Sequence, residues 1–153
     1  VDNQGHQGDR RKFGVPVHRT VRLVASAPAV LSVVLADDTP DLLALMRLTF
    51  DDHGGLEVLA EAVDGQAALE LWRTHRPDVV VLDVRMPVMT GLEAARRMLA
   101  EDPAQVVVLF AAVFDPADYD VADAIGVAGC FDKRDLDRLP ELVHALARRV
   151  RQL

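Results

Sequence analysis

The chain holds a single cysteine, Cys130. An intrachain disulfide is excluded, and a cysteine-based zinc site has no ligands to draw on. A reducing, cytoplasmic compartment fits. Positive charge is short as well: 17 basic residues face 24 acidic ones, for a net charge of −7. Duplex nucleic-acid binding normally needs a basic face, so direct nucleic-acid contact by this chain is not expected. Only two lysines occur, Lys12 and Lys133. A lysine kept inside the folded region is therefore a candidate for a specific task. No apolar run is long enough to cross a bilayer, and no membrane contact is expected. There is no phosphate loop, dinucleotide fingerprint, zinc-protease helix or serine nucleophile elbow. His6, His18 and His75 stand isolated, and no clustered partner is read for His144 either.

What is present is one core's worth of apolar residues: half of the 153 positions are hydrophobic, enough for a single domain. Residues 1–29 read as a polar, aperiodic, flexible N-terminal extension, and residues 30–153 as the domain. Leu23 to Ala36 follows Arg22 and is nearly all apolar, like the core of a secretory signal. Ser26, Pro28 and Ser32 interrupt it, and its second half is needed as a strand.

From there strands alternate with helices five times. Leu31 to Ala36, Leu56 to Ala62, Val79 to Leu82, Val106 to Ala111 and Gly129 to Phe131 read as strands. Thr39 is the expected cap of a first helix with Pro40 at its first position, and Leu42, Leu43, Leu45, Met46, Leu48 and Phe50 as its apolar side. Asp64 caps a second helix, whose stripe includes Trp72. Thr90 and Glu93 have the spacing of a capping box for a third, and Asp115-Pro116 opens a fourth. A last helix is expected from about Asp135 or Leu136, or from Leu139 if Pro140 occupies its first turn, with Leu142, Val143, Leu146 and Val150 facing inward. The alternation predicts an α/β fold, a parallel sheet with right-handed crossovers and helices on both faces.

The chain is organised around Val79-Val-Val-Leu-Asp83. A β-branched, wholly apolar run of this kind is a strand buried on both faces. It ends on Asp83, at the carboxyl end where open α/β sheets build their sites. Asp37 and Asp38 end the first strand in the same way. Three converging carboxylates need a cation, and an oxygen ligand set favours Mg²⁺ or a similar hard ion. Lys133, at the end of the fifth strand, adds a positive charge. Acids, a lysine and no general-base histidine suit phosphoryl transfer to a carboxylate, with Asp83 attacking phosphorus.

On Val34-Leu-Ala-Asp-Asp38, Leu82-Asp-Val-Arg-Met-Pro87, Gly91 and Lys133, residues 31 to about 150 resemble the receiver domain of two-component response regulators. The resemblance implies a flavodoxin-like, doubly wound five-stranded sheet of order 2-1-3-4-5. It implies phosphorylation of Asp83 by a sensor histidine kinase, without a catalytic turnover of the domain's own. It also implies Mg²⁺ held by Asp38, by Asp37 through water, by Asp83 and by the Arg85 backbone carbonyl, with Lys133 on the phosphoryl group. Output would run through the face made by the fourth helix, fifth strand and fifth helix, also a possible homodimer surface. The Ala-Asp-Asp and Gly-Leu-Glu-Ala wording looks most like transcription regulators that carry a LuxR-type helix-turn-helix, a segment not read in these 153 residues.

Two positions depart from the pattern. The Thr or Ser of the fourth strand, 22 residues before the lysine, is Ala111, and residues 106–114 contain neither residue type. The aromatic usual three residues before the lysine is replaced by Cys130. Losing a hydroxyl bonded to a charged group removes about 1.5–3 kcal/mol of bias. A weak or rewired response is expected. The competing reading is a phosphorylation-independent pseudo-receiver used as an interaction or dimerisation module. An aspartyl-nucleophile hydrolase is disfavoured because Arg85 stands where a second Asp would be required.

Overall fold

The computed structural model describes residues 30–151, so the N-terminal extension lies outside the described residues. Strands β1 (Leu31–Ala36), β2 (Leu56–Ala62), β3 (Val79–Asp83), β4 (Val106–Ala111) and β5 (Gly129–Asp132) form one parallel sheet. Their order is β2-β1-β3-β4-β5, as the resemblance implied. Helices α1 (Pro40–His53), α2 (Gly65–His75), α3 (Gly91–Glu101), α4 (Pro116–Ile125) and α5 (Leu139–Arg151) follow the strands in turn, with a 3₁₀ segment at Lys133–Arg138 leading into α5.

The strands separate two apolar layers. Val80 and Leu82 of β3 face a cluster with Trp72, Met98, Leu99 and Ala122 from α2, α3 and α4. Val79 and Val81 face the other way, onto Phe50, Leu139 and Val143 from α1 and α5. Every residue of β3 and β4 is buried, as a strand covered on both faces must be.

Local chemistry sets the helix ends. Asp64 Oδ1 accepts from Ala67 N at 2.7 Å, and Thr90 Oγ1 from Glu93 N at 3.1 Å. The return half of the Thr90 box is not made, because Glu93 turns outward to Arg96 and Arg97. Thr39 makes no side-chain cap; its own N–H is taken by Asp37 Oδ1 at 2.9 Å, which ties the loop to the acid. Gly54 and Gly55, both at positive φ, release the chain from α1 into β2.

Two helix faces differ from expectation. α1 buries Leu43, Met46 and Phe50, whereas Leu45 and Leu48 face solvent. They line a groove of about 840 Å³ with Thr49, Asp52, Arg134, Leu136 and Asp137. α5 buries Leu139, Val143 and Ala147, while Leu142 and Leu146 are only partly covered and Val150 is exposed. The fully buried set follows the i, i+4 spacing from Leu139, with Leu146 packed at its edge.

His144 is not isolated. Its ring nitrogen lies 3.3 Å from that of His53, joining α5 to α1 across 91 residues of sequence. Partial burial, with Arg148 and His53 nearby, holds the His144 imidazole below its ordinary pKa. The unfolded chain therefore takes up this proton first, and the histidine's contribution to stability declines as pH falls through the ordinary histidine range. Thermal unfolding at pH 7.5 and 5.5 is expected to show a smaller pH-dependent drop in His144→Gln than in the natural chain. Equal drops would remove His144 as the cause.

Candidate functional site

The register of the sheet builds the site. Ala36 pairs with Leu82, so the residues that follow, Asp37 and Asp83, emerge side by side at the carboxyl ends of β1 and β3. Asp37 is fully buried, Asp83 is 5% exposed, and Asp38 beside them is exposed. Each can present a carboxylate oxygen within 4.8 Å of the others. β5 brings Lys133 in from the far side: its Nζ lies 2.8 Å from Asp37 Oδ2 and 3.2 Å from Asp83 Oδ2.

Electrostatics are set by burial. Desolvation pushes the Asp83 carboxyl above the ordinary aspartate range, the Asp37 charge adds to this, and Lys133 opposes it. Burial works against the Lys133 ammonium, but its bonds to the two acids outweigh that and its pKa is raised. One lysine faces three acids, and Asp37 Oδ2 has no hydrogen bond in good geometry despite its ion-pair contact. Three acids with converging oxygens and a single lysine between them suit a hard divalent cation with oxygen ligands.

The opening above the acids is a cavity of about 320 Å³ lined by Asp38, Asp83, Arg85, Ala111, Ala112, Val113 and Lys133. The expected site residues are thus brought together, and one of the two departures, Ala111, lies with them, whereas Cys130 does not line the cavity. Ala111 is buried on the cavity wall, where it offers no polar side-chain atom. Cys130 pairs with Leu109 in the β4–β5 register and is half-buried against the α2–α3–α4 layer. Burial, with Asp118 nearby, raises its thiol pKa, which suppresses the reactive thiolate.

The β3–α3 loop is closely fitted. A Cβ added at Gly91 would collide with the Asp83 carbonyl oxygen, so only glycine lets α3 start against the end of β3. Val88, with φ +66° and high exposure, holds a backbone conformation that β-branched residues avoid. Sequence reasoning missed one participant's partner. The Arg85 side chain donates to Asp115 Oδ2 at 2.8 Å, and Asp115 is the N-cap of α4. Nothing in the sequence marks this pair.

A doubly wound sheet of this strand order, with acids and a lysine at its reversal point, defines a CheY-like α/β domain. The family model for the response regulator receiver domain matches residues 33–144, and the chain belongs to that family. Among solved structures, it resembles the signal receiver domain of the response regulator NarL from Mycobacterium tuberculosis, with 34% identity, TM-score 0.74, and 79% of this chain and 98% of that one covered. A LuxR-family response regulator from an Aurantimonas species gives 28% identity and TM-score 0.73, covering 78% of this chain and 86% of that one. Among curated proteins, a protein-glutamate methylesterase/protein-glutamine glutaminase from Hahella chejuensis is 39% identical over 95 residues, which are 62% of this chain and 25% of that protein. The chain thus spans about a quarter of that relative. Receiver domains generally bind Mg²⁺ and belong to two-component signalling. Among the described residues, no helix is long and apolar enough to cross a membrane.

Proposed function

We propose that this receiver accepts a phosphoryl group on Asp83 in a Mg²⁺-dependent reaction, with a sensor histidine kinase as donor. The observation that carries the reading is the meeting of Asp37, Asp38 and Asp83 with Lys133 at the carboxyl ends of three strands. An Asp83 oxygen attacks phosphorus. The bond from phosphorus to the donor histidine nitrogen breaks, and its electron pair returns to the imidazole. Lys133 neutralises the phosphoryl oxygens, and Asp37, Asp38, Asp83 and the Arg85 backbone carbonyl would hold the metal. Bound Mg²⁺ supplies charge neutralisation for the incoming phosphate. Burial and the Asp37 charge raise the Asp83 pKa, and a positive counter-charge works against that shift, favouring the ionised, nucleophilic carboxylate.

The exposed Leu45 and Leu48 beside the α1 groove favour a protein partner. A homodimer through α4 and α5, and a cytoplasmic role in transcription control without direct nucleic-acid contact by this chain, belong to the same reading. The non-polar Ala111 and Cys130 favour a second one, a pseudo-receiver that binds partners without phosphate. Acetyl phosphate separates them. Incubation with Mg²⁺ is expected to add one phosphoryl group by intact mass, with no gain in Asp83→Ala or in EDTA. No gain in the folded natural chain would leave the pseudo-receiver standing.

A further inference from the structure

We infer that Arg85 is a positioning residue that reports the state of Asp83 to α4 by exchanging one partner, the Asp115 carboxylate, for another, the phosphoryl group. The inference rests on phosphorylation of Asp83 as proposed above. Three observations carry it. Arg85 and Asp83 line the same small cavity, so an anion grown on Asp83 enters space already bordered by Arg85. The present partner is weakly held: Arg85 and Asp115 side chains are each 62% exposed, and exposed pairs are readily exchanged. The rest of the cavity wall on the β4 side is Ala111, Ala112 and Val113, whose side chains carry no hydrogen-bond donor. A phosphoryl group has three acceptor oxygens and nearly two negative charges, and guanidinium recognises it in two-pronged fashion. Lys133 and Arg85 are the two cationic residues that line the cavity.

The consequence for α4 follows from Asp115. This residue is the N-cap, and its N–H is held by Asp118 Oδ2 at 2.9 Å. Its carboxylate is the tether from α4 to the β3–α3 loop. Ala122 is the helix's only fully buried residue, and its other core contact, Ile125, lies at the far end, so little apolar packing holds its start. Withdrawing Arg85 frees the start of α4.

The test uses the full chain, acetyl phosphate and Mg²⁺. Intact mass gives the phosphorylated fraction, and hydrogen exchange is followed at the amides of residues 117–121. Phosphorylation is expected to speed their exchange several-fold in the natural chain. Per phosphorylated molecule, that change should be absent in Arg85→Gln and partly restored in Arg85→Lys. In Asp115→Asn, which keeps a good capping side chain, exchange should be fast from the start and insensitive to phosphate. A natural-size change in phosphorylated Arg85→Gln overturns the relay while leaving Asp83 as the acceptor. A natural chain that gains no mass overturns both.

Discussion

Lys133→Ala is expected to lower stability by about 3 kcal/mol near neutral pH, the low end of the cost of stripping one partner from a buried ion pair. The lysine lies against Asp37, which is fully buried, and against Asp83. Without it, three acids face one another with no cation. Two conditions should restore what is lost. Millimolar Mg²⁺ supplies the missing charge, so the variant's urea midpoint should rise with Mg²⁺ far more than that of the natural chain. Acid should help as well. Folded Asp83 keeps its proton to a higher pH than unfolded Asp83, so the native state binds more protons in that window and loses stability as pH rises through it. Lys133 opposes that upward shift, and its removal widens the window. Lowering pH from neutral should therefore stabilise Lys133→Ala relative to the natural chain. A variant indifferent to both Mg²⁺ and pH would show that the lysine does not balance the acids.

Trp72→Ala is expected to cost about 3–5 kcal/mol, the range for emptying a large buried aromatic site. Domains of this kind have about 5–15 kcal/mol in all, so the variant should be marginal at 37 °C. Trp72 is fully buried between α2 and the sheet. Its Nε1–H donates to Gln105 Oε1 at 2.9 Å, and the Gln105 amide in turn donates to the carbonyls of Asp78 and Val106 at 3.1 Å each. The side chain therefore ties α2 to the beginnings of β3 and β4. Trp72→Phe keeps most of the volume but leaves the Gln105 oxygen short of its donor, so it should fall between the two. Because Trp72 is the only tryptophan, far-UV circular dichroism in urea is the appropriate readout. Equal midpoints for Trp72→Ala and Trp72→Phe would place the cost in the hydrogen bond and not in the cavity.

The sheet and the acid–lysine cluster were legible because their signals are local. Val79-Val-Val-Leu82 and Val106-Val-Val-Leu109 can hardly be anything but buried strands, and the carboxylates stand directly at strand ends. What stayed hidden depends on contacts distant in sequence. The leucines at 42, 43, 45 and 48 look equivalent along α1, yet only Leu43 is buried, because the orientation of the helix over the sheet selects the 43-46-50 row. Along α5 the periodicity found Val143 and Leu146 but missed Leu139 and Ala147, which the placement of the helix over the sheet buries. The His53–His144 and Arg85–Asp115 pairs join residues of separate elements that no motif connects.

The strand order also bears on how the chain is made. β2 pairs with β1, after which β3, β4 and β5 each join the same open edge in the order in which a ribosome delivers them. Assembly can thus be vectorial, with a single reversal after β2. Until Val106 emerges, however, the Val79-Val-Val-Leu82 edge of β3 has no partner on its outer side. An unpaired, flat, uncharged valine edge is a template for other nascent chains. Polypeptides stalled or cleaved between α3 and β4 are the ones that should aggregate.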